Sequence, residues 1–333
     1  MPFMFDAFIL AAGFGTRLRP LTHHRPKPLL PVCGVPMLAY TLALCHRHGL
    51  RDVVVNAHHL ADQLRPWEGL HEGVRIMLSI EEPEILGTAG GLKQVAERLA
   101  PTFAVVNGDV LTDVDLQALR TAVPPGGGAM ALRPRGADRY GVVAADATGT
   151  VVDLVDVAHG PPVGAVARDT HFTGVHALER STLDLVPEGY ACVVRTVYKA
   201  LVPKRSVRAL RHEGLWLDIG DPRAYHGANF AVLRGEVTPP LDPFARAAWS
   251  RSGPSTTGDA SAVSTARIEG DAWIGAEVSL GAGTRIRDAI VGDGAHLSAD
   301  TEIEQCIVWD GVDVPPGRYA NAILYDGGVL HLD

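Results

Sequence analysis

Leu10-Ala-Ala-Gly-Phe-Gly-Thr-Arg-Leu-Arg-Pro-Leu-Thr22, with Lys27-Pro28 close behind it, is the stretch from which the rest of the chain can be read. The residues leading into it, Phe5 to Ala11, are almost continuously apolar, as in a strand buried on both faces of a sheet. Gly13 and Gly15 then open a loop whose backbone can take positive φ and bring its N–H groups close to an anion. Thr16 adds a hydroxyl donor, and Arg17 adds a planar, permanently charged fork. Arg19 is either a second such group or a solvated surface charge. Pro20, Pro26 and Pro28 restrict the segment that follows, so Lys27 sits on a stiff stretch within reach of the same anion. Two glycines after a strand describe any strand-to-helix turn. Glycine, hydroxyl and fixed positive charge together describe a cradle for a polyphosphate. The run is neither a Gly-Lys-Ser/Thr phosphate loop nor a dinucleotide fingerprint, because Leu18 stands where the third glycine would be.

Outward from the run, strand and helix signals alternate. A helix is expected over Pro36 to His48, ending at Gly49, then strands at Asp52 to Val55 and Val74 to Ile80. A helix near Ala89 to Leu99 precedes an apolar strand, Phe103 to Val106, and Asn107-Gly108-Asp109 follows directly. Strand-like runs recur at Ala129 to Leu132, Gly141 to Ala145, Val151 to Val155 and His171 to Leu178, and a helix over Pro222 to Leu233 closes the region. This pattern predicts an α/β domain over 1–234 with a Rossmann-like, mostly parallel sheet and helices on both faces. Ligands of open α/β sheets bind beyond the carboxyl ends of the strands, which is where Asp109 falls.

Periodicity fades over 235–262, where Pro239, Pro240, Pro243 and Pro254 stand among Ser, Thr and Gly; this is read as a linker with one short helix around Pro243 to Trp249. Over 263–333 an internal repeat takes over. Ile268, Ile274, Leu280 and Ile286 are spaced by six, as are Val291, Leu297 and Ile303, and Val308 and Val314. One inward aliphatic per six residues predicts a short left-handed parallel β-helix of three to four coils, with shortened corners at the five-residue steps Ile286 to Val291 and Ile303 to Val308.

Composition narrows the classes. The 333 residues, 47% of them hydrophobic, suffice for two domains with sizeable cores. A net charge of −8, from 30 Lys+Arg against 38 Asp+Glu, argues against a nucleic-acid partner. No run approaches the ~20 apolar residues of a membrane span, and the start of the chain lacks a signal-peptide pattern, so a cytoplasmic location is expected. Cys33, Cys45, Cys192 and Cys306 lack metal-binding or disulfide spacing and read as small apolar residues. His23-His24 and His58-His59 read as surface pairs rather than metal ligands.

The long N-terminal run with Lys27-Pro28 resembles the signature of the sugar-1-phosphate nucleotidyltransferases, the pyrophosphorylases that make NDP-sugars. Many members carry a short C-terminal β-helix, so the resemblance extends over nearly the whole chain, and in pattern it is nearest the mannose-1-phosphate guanylyltransferases. It implies the reaction of an NTP with a sugar 1-phosphate to give an NDP-sugar and pyrophosphate. The attacking phosphate is already anionic, so no general base is needed, and catalysis reduces to positioning and charge neutralisation. The resemblance assigns Leu10, Ala11, Ala12, Gly13, Gly15 and Thr16 to the nucleotide, Arg17 to its leaving β/γ-phosphates and Lys27 to the reacting phosphates. Asn107-Gly108-Asp109 and Trp216-Leu-Asp-Ile-Gly220 resemble the family's metal-ligand motifs, which implies Mg²⁺ on Asp109 and Asp218. Gly87 and Thr88 in Leu86-Gly-Thr-Ala89 are implied to read the base through backbone groups. Tyr140 and Gly141 in Tyr140-Gly-Val-Val143, with Thr173 and Gly174 in Phe172-Thr-Gly-Val175, are implied to contact the sugar. Where many members have Glu-Lys-Pro, this chain has Val155-Asp-Val-Ala158. Asp156 then replaces the acid, and the sugar phosphate relies on Lys27, Arg17 or the metal. The family also implies a homo-oligomer with β-helix contacts. Alternatives left open are a uridylyl- or thymidylyltransferase of the same fold, and a non-catalytic, nucleotide-sugar-binding regulator.

Overall fold

The computed structural model describes residues 4–136, 140–244 and 266–332. The chain divides into two compact units, and both are discontinuous. One contains Met1–Phe14 and Thr41–Trp216, the other Gly15–Tyr40 and Leu217–Asp333.

The first unit is built on an eleven-stranded sheet. Strands β1 (Phe5–Leu10), β2 (Asp52–Ala57), β3 (Val74–Ile80) and β4 (Leu99–Asn107) run parallel in the spatial order β3-β2-β1-β4. Ala7, Phe8 and Ile9 of β1 are fully buried, as the apolar run requires of a strand covered on both faces. Beyond β4 the sheet changes direction. Strands β5 (Gly128–Pro134), β6 (Val142–Asp146), β7 (Val151–Leu154) and the long β8 (Val166–Glu179) follow, and β8 pairs antiparallel with β4, β5 and β6. The sheet is therefore mixed rather than mostly parallel. The reason is that β8, far along the chain from β4, runs beside it in the opposite direction, so the two pair antiparallel. Gly69–His71, Ala158–His159 and Val207–Arg211 are further strands without an expectation from sequence.

The expected helix over Pro36 to His48 is observed as Met37–Arg47. That near Ala89 to Leu99 is shorter, Gly87–Gln94, followed by a 3₁₀ turn at Ala96–Arg98, so Leu99 already belongs to β4. Pro222–Leu233 is helical as expected, with the Asp221 carboxylate capping its first turn through Ala224 N–H at 2.8 Å.

In the second unit the repeat forms stacked parallel strands in a seven-stranded and a three-stranded sheet, the larger of which also takes in Gly328–His331, antiparallel to Ala322–Tyr325. Ile268, Ile286 and Ile303 are register partners, as are Ile274, Val291 and Val308, and so are Leu280, Leu297 and Val314. All of these except the half-buried Ile268 are buried. Gly270, Asp288, Gln305 and Asn321 occupy one stacked corner, and all four have positive φ. The expected linker helix around Pro243 to Trp249 falls mostly on residues outside the described ones.

Candidate active site

At the carboxyl edge of the parallel strands, sequence neighbours of the glycine-rich loop and of Asp109 emerge side by side. Leu10 and Asn107 are register partners, and Gly108 N–H donates to the Leu10 carbonyl at 2.9 Å. Two side chains not singled out from sequence organise this edge. Asn56, the last residue but one of β2, accepts Ala11 N–H at 2.6 Å through Oδ1 and donates through Nδ2 to Glu81 Oε1 at 2.6 Å. Glu81, just after β3 and fully buried, accepts Leu86 N–H at 2.7 Å with its other oxygen. The start of the phosphate-type loop and the Leu86-Gly87-Thr88 segment are thus joined by one buried carboxamide–carboxylate pair. A Cβ on Gly91 would overlap Glu81, which explains the second glycine of Gly90-Gly91. The available signal was a single polar residue ending an otherwise apolar run, Val53-Val-Val-Asn56 and Ile80-Glu81.

Gly87 has φ +72, and a Cβ there would stand 2.7 Å from the Ala191 carbonyl. The Thr88 hydroxyl accepts Val193 N–H at 2.9 Å, so this side chain ties its helix to the 190–193 segment.

The expected sugar residues lie in the same unit. Tyr140 stacks on His171, with centroids 4.6 Å apart, and meets the edge of Trp216 at 5.3 Å. His171 and Trp216 were not anticipated; both come from strands that bring distant residues against Tyr140. A Cβ on Gly141 would collide with Val155, whose turn with Asp156 has positive φ at both residues. Thr173 is buried and donates to the Ala131 carbonyl at 2.8 Å, and its own carbonyl accepts from Trp216 Nε1 at 2.8 Å. Gly174, φ +79, lies against Asn107: a Cβ would be 2.5 Å from Nδ2.

The remaining signature residues belong to the second unit. Gly15, φ +62, opens the 3₁₀ turn Thr16–Leu18, and a Cβ on it would stand 2.7 Å from Thr22 Cγ2 and 3.2 Å from Lys27 Cγ. The Thr22 hydroxyl donates to the Gly15 carbonyl at 2.9 Å, closing a knot of Gly15, Thr22 and Lys27. Arg17 and Asp218 meet at Gly220, where a Cβ would be 3.0 Å from the Arg17 guanidinium nitrogens and 3.1 Å from Asp218 Oδ2. Glycine therefore lets both charged groups approach the backbone closely at that point.

Asp109, in the first unit, and Asp218, in the second, each offer carboxylate oxygens, the hard donor type that magnesium takes. Another group of carboxylates and imidazole draws together among the described residues: Asp153, Asp156 and His159 offer ligand atoms within 4.8 Å of one another. Arg168 is ion-paired with Asp153, so that cluster already holds a cation. Burial pushes the Cys45 thiol up to about 12 and that of Cys306 up to about 11, which leaves both neutral and unreactive. His58, read as a surface residue, is half-buried and bonds the Glu81 carbonyl at 2.8 Å.

Residues 6–235 match the nucleotidyl transferase family. The chain is 31% identical over 251 residues to a UTP–glucose-1-phosphate uridylyltransferase of Synechocystis, covering 69% of this chain and 64% of that enzyme, so it spans just under two thirds of that relative's length. It is 30% identical over 299 residues to a mannose-1-phosphate guanylyltransferase of Mycobacterium tuberculosis, covering 86% of this chain and 79% of that one. The crystal structure of HddC from Yersinia pseudotuberculosis shares the fold over 68% of this chain and 98% of its own, with a TM-score of 0.54 at 23% identity. With well over half of its residues matched, this chain belongs to the nucleotidyl transferase family.

Proposed function

We propose that the protein joins an NTP and a sugar 1-phosphate into an NDP-sugar with release of pyrophosphate. The observation that carries this reading is the edge where Leu10 and Asn107 pair, because it sets the glycine-rich loop and the residue before Gly108-Asp109 at adjacent strand ends. In this reading, the backbone of Leu10, Ala11, Ala12, Gly13, Gly15 and Thr16 holds the nucleotide phosphates, with Gly87 and Thr88 at the base. Arg17 neutralises the departing pyrophosphate and Lys27 the reacting phosphates. Asp109 and Asp218 would hold Mg²⁺, which shields the mutual approach of two anions. Tyr140, Gly141, Asp156 and the 173–174 backbone form the sugar's contacts. The Thr173 hydroxyl already donates to the Ala131 carbonyl, which favours contact through the backbone of that residue.

GTP and mannose 1-phosphate are the proposed pair. The match to the guanylyltransferase of M. tuberculosis supports them by extending over 86% of this chain. The stacked C-terminal strands are read as a left-handed β-helix, the two domains as 1–234 and 263–333 with a linker between, and the assembly as a cytoplasmic homo-oligomer.

Pyrophosphate release measured with each NTP against a panel of sugar 1-phosphates, with and without Mg²⁺, tests the reading. GTP with mannose 1-phosphate should turn over fastest, and only with Mg²⁺. A preference for UTP or dTTP moves the base assignment, and release from no pair overturns the enzyme. Asp109→Asn should abolish turnover with the fold intact; an unchanged rate removes that residue from the metal site.

A further inference from the structure

Arg25 and the residues that grip it have no part in the chemistry above, yet they bracket Lys27. The Arg25 guanidinium donates two parallel hydrogen bonds to Asp310, Nη1 to Oδ1 at 2.6 Å and Nη2 to Oδ2 at 3.0 Å. The same guanidinium lies over Trp309, 4.6 Å from the ring centroid. Trp309 is fully buried, and its indole N–H donates to the Tyr225 hydroxyl at 3.2 Å. That hydroxyl in turn donates to the Pro31 carbonyl at 2.6 Å. One connected chain of contacts therefore holds the side chain two residues before Lys27 and the backbone four residues after it. Between these anchors the segment is stiff: Pro26 and Pro28 fix φ, and Lys27–Leu29 is a 3₁₀ turn closed by Leu29 N–H to the Pro26 carbonyl at 2.9 Å.

We propose that Asp310 and Trp309 are positioning residues for Lys27, so that the C-terminal strands set the geometry of a phosphate-binding cation. The proposal rests on Lys27 having the role given to it above. The type of contact argues for orientation rather than stability. Asp310 is half exposed, where an ion pair contributes little to folding. A bidentate fork held against a ring nevertheless restricts direction strongly. A rigid cation loses little freedom when the triphosphate arrives, which is the advantage that such a clamp gives.

The test uses the full chain with Asp310→Ala, Asp310→Asn and Asp310→Glu, each also combined with Lys27→Ala. Pyrophosphate release gives kcat and KM for the NTP, calorimetry gives the equilibrium binding of the NTP, and Tm reports the fold. Asp310→Ala should lower kcat/KM for the NTP about tenfold, with Tm close to that of the unaltered protein and partial recovery in Asp310→Glu. In the Lys27→Ala background the same change should have almost no further effect, since the clamp acts only through that side chain. Unchanged kcat/KM, or effects that simply add, overturn the proposal. If Asp310→Ala lowers Tm steeply, the near-isosteric Asp310→Asn decides by the same cycle. If the unaltered protein releases pyrophosphate from no pair, the proposed function fails. The clamp is then judged by NTP binding, which should weaken in Asp310→Ala only while Lys27 is present.

Discussion

The Leu10–Thr22 run is continuous in sequence but held by two different scaffolds. Up to Phe14 it belongs to the sheet unit, where the β1 register and the Asn56–Glu81 pair fix it through backbone atoms. From Gly15 onward it belongs to the unit of stacked strands, and side chains hold the segment that continues it to Gly34: Asp310 on Arg25, Tyr225 on Pro31, Asn229 on Cys33 at 2.9 Å, and Trp273 packed where Gly34 lacks a Cβ. The separations differ accordingly: 45 residues from Ala11 to Asn56, but 194 from Pro31 to Tyr225 and 285 from Arg25 to Asp310. The lesson is that backbone-held and side-chain-held halves of one loop should fail differently. Damage to the sheet half should reach binding through lost buried bonds, and damage to the other half should reach it through orientation.

The largest contrast is expected from Arg17→Ala. Loss of a positioned cation should lower kcat by about 10²–10³-fold with Tm retained, and a variant that keeps full kcat ends the assignment of Arg17 to the leaving phosphates. Next comes Gly34→Ala, which puts a Cβ into the Trp273 ring at a residue with φ +69. This should cost about 2–4 kcal/mol, felt by the stacked-strand unit. Hydrogen exchange should show opening there while β1, β2 and β4 stay protected, and uniform loss of protection would mean that the two scaffolds do not respond separately. A smaller effect is expected from Asn56→Ala, which leaves Ala11 N–H and Glu81 without their partner, at about 1–3 kcal/mol. Here the KM for NTP should rise while exchange in the stacked strands is unchanged; a normal KM would reduce the pair to a packing detail.

The smallest effect concerns pH. His176, in the sheet core and bonded to the Tyr198 hydroxyl at 2.8 Å, has its pKa pushed down to about 3 by burial. An unfolded chain protonates this histidine below about 6.5 while the folded one stays neutral, so stability is lost as pH falls from there towards 3. The slope is at most about 1.4 kcal/mol per pH unit. His176→Gln should flatten that part of the stability profile, and an unchanged profile would mean that other groups carry it.

What could be read from sequence was what depends on near neighbours. The β1 run, the glycine-rich loop, the exit of Asp109 from an apolar strand and the six-residue spacing of Ile274, Leu280 and Ile286 are all local signals, and each has a structural counterpart. The mixed sheet was missed because the direction in which β8 pairs with β4 is decided by a partner some seventy residues away, which no periodicity records. Asn56 and Glu81 were missed for a related reason. A polar residue ending a strand looks like a solvated boundary until its buried partner is known. The stacking of His171 and Trp216 on Tyr140, and the grip of Asp310 on Arg25, likewise depend on contacts between residues far apart in the chain.

The division of the loop has a consequence for biogenesis. During translation the strands that make up the first unit leave the ribosome long before Trp309 and Asp310 are polymerised, and compact units fold as they become complete. Arg25 must wait for 285 further residues before its partner exists. A nascent or prematurely terminated chain would thus carry a finished sheet while Arg25 still lacked its carboxylate, and the last of the contacts on that segment would form only at the close of synthesis.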